Sequence, residues 1–383
     1  MLEAYKVFES LNDRCKYILR IIQENGPVTK NELINITKLK LTTLNRNIKT
    51  LLNEKIIIES DIGDSTGGRK PSLYDVIQDR FYIIGIDISR TYTKIVITNL
   101  KFKTIEERLL SHEYNIETIS EIIPDVIKEC CIKLQIQHSD IVAIGIGIVD
   151  GFNANPLKDA LEREFNTIIC IDNGASAAVI GEYNFGIGKG KNNIAYINCG
   201  VGIRTGIISS GILIRTINNL EDVFGHMIVD VNGEQCFCGN HGCIESYVSI
   251  SNITKKFINR MKETNPLGLK KNLDNINYRD VCSLAEREDE TAMNIIKDAA
   301  LYFGIGLSNY IKLFNPELII LSGPLMQNSK LFYNTAKEIT MQKCHIKNSN
   351  IQFSSGGYFE ENSIAVGACA MVMEKILNQE IRK

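Results

Sequence analysis

The sequence predicts an α/β protein of two lobes preceded by a small helical module. Residues 81–383 alternate apolar strand-like runs with amphipathic helices, which is typical of α/β proteins. A strand pair around a turn occurs at 81–98 and again at 193–209, which indicates two related lobes. Residues 1–80 instead predict helices followed by two short strands. The predicted boundaries are therefore 1–80 for the module, 81–185 for the first lobe and 186–383 for the second, whose last helix can return to the first lobe.

The N-terminal module has three predicted helices. Apolar residues recur at helical spacing from Leu11 to Ile22, and the stretch Asn25-Gly-Pro27 ends that helix. Thr29 with Glu32 three residues later predicts a capping box at the start of a second helix. A third helix is predicted over roughly 41–53. Two strand-like runs follow, so the plan is that of a winged helix-turn-helix.

The predicted third helix and the loop between the two strands carry side chains suited to DNA. Between Lys38 and Lys55 there are five basic residues and one acidic residue, and such side chains reach phosphates and base edges. Helix-turn-helix plans also serve as protein-binding modules, but the basic bias favours DNA. The predicted DNA contacts are Lys40, Thr42, Thr43, Asn45, Arg46 and Lys49 on the helix, and Arg69 and Lys70 in the wing loop.

The body of the chain alternates strands and helices. Predicted strands cover 81–87, 94–98, 141–149, 167–171, 193–198, 205–209 and 318–321. Predicted helices cover 119–134, 175–183, 248–263, 278–286, 290–313 and 363–377. No element is predicted between Val149 and Thr167.

Three cysteines and a histidine lie within eighteen residues of one another. His226, Cys236, Cys238 and Cys243 form the ligand set of a closed tetrahedral Zn²⁺ site, in a stretch that is rich in glycine. Because four protein ligands leave no open position, the predicted zinc is structural. His241 is an alternative to His226. Chance clustering is the competing interpretation, because the chain has 11 cysteines.

Bulk composition excludes some classes of protein. The net charge is −2, so bulk charge gives no affinity for polyanions. No apolar run is long enough to span a membrane, and the N-terminus lacks the features of a signal peptide. We therefore expect a cytoplasmic protein, in which reduced cysteines bind metal rather than form disulfides.

These motifs resemble those of the ROK family of repressors and sugar kinases, and especially its transcriptional regulators. The resemblance covers nearly the whole chain and is carried by Ser65-Thr-Gly-Gly-Arg-Lys-Pro71, Gly225-His226 and the segment Cys236–Glu245. Weaker matches are Gly200-Val-Gly202 and Ile319–Gly323. The resemblance implies an actin-like, sugar-kinase fold of two α/β lobes, zinc on the four residues above, and a homodimer or homotetramer.

The resemblance also identifies the sites that a ROK kinase requires. The first phosphate turn reads Asp87-Ile-Ser-Arg-Thr91, with Ser and Arg in place of glycines, and the second reads Gly200–Gly206 with Arg204 and Thr205 replacing glycines. The catalytic aspartate aligns with Gly174, which cannot accept a proton. We therefore expect no kinase activity.

Effector binding is the remaining role that the resemblance implies for the body. Asn173, His226 and Glu245 match residues that contact sugar, whereas Val223 stands where the family has a glutamate. The sequence thus predicts a DNA-binding repressor whose partners are an operator duplex and a sugar-derived effector. Two alternatives are a sugar kinase with a DNA-binding appendage and a DNA-binding oligomer that responds to no ligand.

Overall fold

The computed structural model of the chain describes residues 4–60, 72–111, 116–149, 152–215, 221–264, 275–344 and 350–377. These residues form two compact units, one up to Ala177 and again from Ile364, and the other from Ala178 to Ser363. Among the described residues, no helix combines the length and apolarity needed to cross a membrane.

The N-terminal module is a winged helix-turn-helix, as predicted. Its elements in chain order are α1 (Ala4–Glu9), α2 (Asp13–Asn25), β1 (Val28–Thr29), α3 (Lys30–Thr37), α4 (Leu41–Asn53), β2 (Ile57–Ser60) and β3 (Leu73–Val76). The strands form an antiparallel sheet of order β1-β3-β2. The predicted capping box is present, because Thr29 Oγ1 accepts the Glu32 N–H and the Glu32 carboxylate accepts the Thr29 N–H. The short elements α1 and β1 were not predicted.

The rest of the chain is the predicted α/β body. Its strands are β4 (Tyr82–Ile88), β5 (Tyr92–Asn99), β6 (Thr104–Ser111), β7 (Ile141–Ile148), β8 (Ile168–Asn173), β9 (Ile194–Cys199), β10 (Ile203–Ser209), β11 (Ile212–Ile214), β12 (Leu318–Ser322) and β13 (Gln352–Ser355). Its helices are α5 (Ile116–Leu134), α6 (Asn155–Phe165), α7 (Gly174–Phe185), α8 (Glu245–Val248), α9 (Ile250–Thr264), α10 (Tyr278–Glu286), α11 (Glu290–Phe314), α12 (Pro324–Asn328), α13 (Lys330–Cys344) and α14 (Ser363–Leu377).

The sheet of the first unit has the order β6-β5-β4-β7-β8. Strands β4, β7 and β8 are parallel, and β5 and β6 are antiparallel additions at one edge. Helix α14 packs so closely on this sheet that β4 and β7 need glycine where they meet it. A Cβ atom at Gly85 would lie 1.9 Å from the Ala365 carbonyl oxygen, and one at Gly145 would lie 2.0 Å from that of Ala368.

The sheet of the second unit has the order β11-β10-β9-β12-β13. Strands β9, β12 and β13 are parallel, and β10 and β11 are antiparallel to their neighbours. Helices α9, α10, α11 and α13 supply most of the apolar core on one face of this sheet. Each unit thus begins its sheet with an antiparallel pair, which agrees with the duplicated plan expected from the sequence.

A buried carboxylate joins two loops of the second unit. Glu182 of α7 is fully buried, and its carboxylate accepts hydrogen bonds from the N–H groups of Ile187, Tyr358 and Phe359 at 3.2, 3.0 and 3.3 Å. The Ser363 hydroxyl donates a further bond at 3.3 Å. Because several N–H and O–H donors converge on this one carboxylate, Glu182 holds together the loop after α7 and the loop before α14.

Candidate DNA-binding surface and metal centre

Helix α4 has an apolar face toward the module core and a polar face toward solvent. Leu44, Ile48 and Leu51 are buried, as their spacing predicted. Thr43 is half-buried. The predicted contact residues that are exposed on or beside this helix are Lys40, Thr42, Asn45, Arg46 and Lys49. The exposed set brings three cations and two neutral hydrogen-bonding side chains to one element.

A buried polar contact fixes the rotation of α4 on α2. The Cys15 thiol donates to Asn47 Oδ1 at 3.1 Å, and Asn47 Nδ2 donates to the Thr43 carbonyl at 2.7 Å. Burial raises the pKa of the Cys15 thiol, so it remains a protonated donor. This pair was not predicted from the sequence. Asn47 lies three residues after Leu44, inside the apolar stripe, and that polar residue at a core position was the available signal.

The wing strands pair up to the limit of the described residues. Ser60 of β2 pairs with Leu73 of β3, and the loop that joins them carries Arg69 and Lys70. Both of these predicted contacts lie outside the described residues, so they remain predictions.

The four predicted metal ligands converge in the second unit. One ligand atom each from His226, Cys236, Cys238 and Cys243 lies within 4.8 Å of every other. The Cys238 and Cys243 Sγ atoms are 3.7 Å apart, and Cys236 Sγ lies 3.6 Å from His226 Nδ1. A tetrahedron with zinc–sulfur bonds of about 2.3 Å has sulfur–sulfur edges of about 3.8 Å. The spacing of the side chains therefore fits a tetrahedral metal ion. His241 is exposed and is not part of this group.

The backbone of this segment is arranged by its own hydrogen bonds and by two glycines. The Cys236 N–H donates to the Asn240 carbonyl at 2.8 Å, and the Gly239 N–H donates to the Cys236 carbonyl at 3.0 Å. Gly239 and Gly242 have φ of 93° and 73°, a region that disfavours other residues. A Cβ at Gly242 would also lie 1.6 Å from the Asp230 carbonyl oxygen.

The thiols differ in how readily they ionise. Burial raises the pKa of Cys243 to about 12, and it also raises the pKa of Cys236. Cys238 is exposed, and the backbone N–H of Asn240 lowers its pKa. A divalent cation binds thiolates, so its binding here would release protons and would be favoured by rising pH.

Glu245 joins the metal segment to the glycine turn before β10. Its buried carboxylate accepts the Ile203 N–H at 2.8 Å, and its own N–H donates to the Gly225 carbonyl at 2.8 Å. A Cβ at Gly202 would lie 3.0 Å from the same carboxylate oxygen. Because Gly225 precedes His226, one short path of backbone and side chain connects a predicted metal ligand with the glycine turn.

Asn173 lies at the carboxyl end of β8, in the first unit. Its side-chain oxygen accepts the N–H groups of Ala175 at 2.7 Å and Ser176 at 3.3 Å, and so caps α7. Gly174 is the first residue of α7, and its Cα would lie 3.1 Å from a Cβ at Gly147. The three predicted effector residues are thus divided between the units, with His226 and Glu245 in the second.

The fold and these sites define a class of protein, a DNA-binding regulator with a sugar-kinase-like α/β body. Comparison with known proteins identifies its family. A family model described as the ROK family matches residues 83–375, and one described as winged helix-turn-helix DNA-binding matches residues 16–58. The chain belongs to the ROK family.

Two curated relatives match almost the full length. The chain is 28% identical over 378 residues to the xylose repressor of Bacillus spizizenii, with 95% of each chain covered. It is 24% identical over 387 residues to the DNA-binding transcriptional dual regulator NagC of Escherichia coli, covering 97% of this chain and 94% of that one.

Solved structures show the same fold. A ROK family transcriptional regulator, described as a homolog of the E. coli MLC protein, superposes with a TM-score of 0.78 at 18% identity, covering 97% of each chain. A ROK glucokinase from Streptomyces griseus, solved with glucose and AMPPNP, gives a TM-score of 0.64 at 25% identity over 76% of this chain and 98% of that one. The similarity to the sugar kinase thus extends over about three quarters of the chain.

Proposed function

We propose that this protein is a cytoplasmic transcriptional repressor that binds an operator duplex through α4 and its wing. The observation that carries the proposal is the exposed face of α4, where Lys40, Arg46 and Lys49 accompany Thr42 and Asn45 on the element that enters the major groove in this class. Full-length relatives are named as a xylose repressor and a transcriptional dual regulator.

We further propose that the His226, Cys236, Cys238 and Cys243 group holds a structural Zn²⁺ ion. The thiolate-rich ligand set and the spacing of its atoms are those of a four-coordinate zinc site. The ion would stabilise the segment that presents Glu245 to the glycine turn. It would perform no chemistry, because all four positions are filled by protein.

The body is proposed to act as a sensor and an oligomerisation scaffold rather than as a kinase. Gly174 offers no carboxylate at the position that the family resemblance assigns to the catalytic base. Two copies of the chain would present two α4 helices to a two-fold operator. A sugar-derived effector would change DNA affinity only if it bound the DNA-competent and DNA-incompetent states unequally.

A second candidate is a repressor that responds to no ligand. It is favoured by the partners of two predicted effector residues: the Asn173 oxygen caps α7, and a Glu245 oxygen accepts the Ile203 N–H. A hydroxyl-rich ligand would have to compete with these bonds or use the remaining polar atoms of the same side chains.

The deciding experiment is fluorescence anisotropy on duplexes from the region upstream of the protein's own gene, at fixed salt, because salt dominates such affinities. The titration is repeated with sugars, aminosugars and sugar phosphates. Specific binding that one ligand weakens would support the sensor, and specific binding indifferent to all of them would support the second candidate. If no duplex were preferred over random sequence, DNA regulation itself would be contradicted.

A matched pair of variants tests the surface. Arg46→Ala should weaken binding at least about tenfold, because it removes a contact to phosphate or base. Arg14→Ala removes the same charge from an exposed position on α2, outside the predicted recognition helix, and should change affinity less than about twofold. Equal losses in both variants would contradict the assignment of α4.

A further inference from the structure

The turn between β5 and β6 reaches into the winged helix-turn-helix. We call residues 99–103 the contact turn. The Lys101 Nζ atom lies 2.8 Å from the Gly26 carbonyl oxygen, 3.4 Å from that of Ile22, and 2.7 Å from Asp75 Oδ1. Lys101 belongs to the α/β body, whereas its partners are the carboxyl end of α2 and the wing strand β3. One ammonium group therefore joins two elements of the DNA-binding module to the body.

This contact is chemically well matched. An ammonium group has three N–H donors, and here three acceptors surround it. Two of them are carbonyls at the carboxyl end of a helix, where the backbone dipoles favour a cation. The paired side chains are only 20% and 21% exposed, so solvent screens the ion pair less than a surface pair. Gly26 is favoured beside it, because a Cβ there would lie 2.5 Å from the Ile22 backbone carbonyl oxygen and 2.6 Å from Asp75 Oδ1.

A second bond forms next to the first. Gln23 of α2 is buried, and its Nε2 donates to the Leu100 carbonyl of the contact turn at 2.7 Å. Breaking that bond would leave a buried carbonyl without this donor, which is costly. The contact turn is itself ordered by Asn99, whose side-chain oxygen accepts the N–H groups of Lys101 at 2.9 Å and Lys103 at 3.1 Å.

The link between the module and the body is also fixed along the chain. The Asn99 amide donates to Gln78 at 3.2 Å, and the Arg80 guanidinium donates to the Lys55 carbonyl at 2.9 Å. The Phe8 ring of α1 meets the Phe81 ring edge-on, with centroids 5.1 Å apart. Residues 78–81 thus make specific packing and hydrogen-bond contacts, unlike a flexible linker of small polar residues.

We infer that the contact turn makes half-site spacing a specificity determinant of this regulator, with Lys101 as the positioning residue. The inference rests on the proposed function, in which two copies bind one operator. Modules on flexible linkers tolerate changes in the distance between half-sites. Here the module is attached to the body by the Lys101 contact, by the bond between Gln23 and Leu100, and by the packed residues 78–81. The position of α4 is therefore fixed relative to the body, so a dimer should bind one half-site spacing and reject others. Lys101 acts through α2 and β3 and need not touch DNA.

The test compares Lys101→Met with Lys103→Met, which removes the same charge from an exposed position of the same turn. The half-site is defined by footprinting the wild-type protein on its own upstream region. Anisotropy is then measured on a single half-site and on paired half-sites whose spacing changes by single base pairs through about one helical turn. Asp75→Asn serves as a second variant, because it weakens the same contact from the other side at nearly unchanged volume.

Wild type and Lys103→Met should show one sharp optimum of spacing, with affinity falling at least about tenfold on either side. In Lys101→Met, the ratio of affinity at the optimal spacing to affinity at other spacings should fall at least about fivefold. Affinity for a single half-site should stay within about twofold of wild type, because discrimination between spacings depends on how the module is attached to the body and not on the recognition surface. A flat wild-type profile, or an equally sharp profile in Lys101→Met, would overturn the inference. A wild-type protein that prefers no half-site would instead contradict the proposed function.

Hydrogen exchange provides a readout that needs no DNA. Lys101→Met and Asp75→Asn should raise exchange in residues 20–26 and in the contact turn at least about threefold over wild type, whereas Lys103→Met should not, because local opening follows local contacts. Unchanged protection in Lys101→Met would show that the contact does not hold the module, and would overturn the inference whatever the DNA result.

Discussion

Cys238 is the exposed thiol of the proposed metal site, and it provides a clear test at the residue scale. Cys238→Ser should abolish stoichiometric zinc and lower the free energy of unfolding by at least about 3 kcal/mol, since loss of a structural metal belongs to the largest single-residue effects. Zinc content by plasma emission and chemical denaturation measure the two outcomes. His241→Ala is the matched control and should retain both zinc and stability, because its side chain lies outside the cluster. The assignment would be wrong if the two variants behaved alike.

Glu317 provides a pH-dependent prediction. Its carboxylate accepts the N–H groups of Asn192 at 2.6 Å and Asn193 at 3.0 Å, and these bonds lower its pKa. A depressed folded pKa stabilises the protein above the unfolded pKa of about 4.3, and that stability is lost as pH falls through the folded value. Glu317→Gln should therefore cost less than about 1 kcal/mol at neutral pH, because the group is exposed, and nothing at acid pH.

Denaturation of Glu317→Gln and wild type from about pH 7 down to pH 3 measures this difference. Glu338→Gln on α13 is the control for loss of an exposed carboxylate, one that accepts a side-chain bond from Gln342. A difference between wild type and Glu317→Gln that stayed constant or grew toward acid pH would contradict the argument.

Residue-scale prediction from the sequence succeeded where chemistry and spacing were local. The four predicted metal ligands lie within eighteen positions, and the structure brings their side chains together as a group that could hold a metal ion. Glu182 gave no such signal, because its hydrogen-bond donors Tyr358 and Ser363 lie 176 and 181 residues away. The contact between Lys101 and Gly26 is separated by 75 residues and was equally invisible. Long-range polar contacts depend on the fold, which residue type alone does not encode.

At the element scale, the capping box of α3 is the sharpest case. Thr29→Ala removes one side of the reciprocal bonds and should destabilise the module by about 1 kcal/mol. Denaturant unfolding followed by circular dichroism gives the value, with Asn31→Ala at an exposed position of the same helix as the control, expected within about 0.5 kcal/mol of wild type. A cost for Asn31→Ala as large as that for Thr29→Ala would point to helix propensity rather than capping.

Elements with strong end signals were predicted almost to the residue. Helix α10 begins after an Asn277 capping box and has the predicted bounds of 278–286. Helices α6, α8, α12 and α13 and strands β6, β11 and β13 were not predicted. Strand β6 lies at a sheet edge and alternates half-buried with exposed residues, including exposed Ile105 and Leu109, so its pattern does not mark a buried face. Helix α6 carries Pro156 in its first turn, a start signal that was available in the sequence.

At the scale of the whole molecule, the four proposed metal ligands all lie in the second unit and the DNA-binding module in the first. Chelation should therefore destabilise the second unit selectively. In calorimetry, a chelator should lower the midpoint of the second-unit transition by at least roughly 6 °C and leave that of the first nearly unchanged. Hydrogen exchange assigns each transition to its residues.

Two controls accompany the chelation experiment. Added Zn²⁺ should restore the transition and Mg²⁺ should not, because thiolates select soft cations. Cys238→Ser should show no further shift with chelator. A chelator effect confined to the first unit, or one that persisted in Cys238→Ser, would place the metal elsewhere.

The contact turn also sets a condition for engineering. A chimeric regulator is usually made by exchanging the DNA-binding module at a junction, here near residue 80. Such a graft would leave Leu100 and Lys101 facing a foreign helix end that lacks Gln23, Gly26 and Asp75. The transplanted module would keep its base preference, but its orientation relative to the body would no longer be fixed. A functional exchange therefore needs two segments moved together, the first 80 residues and the turn at 99–103.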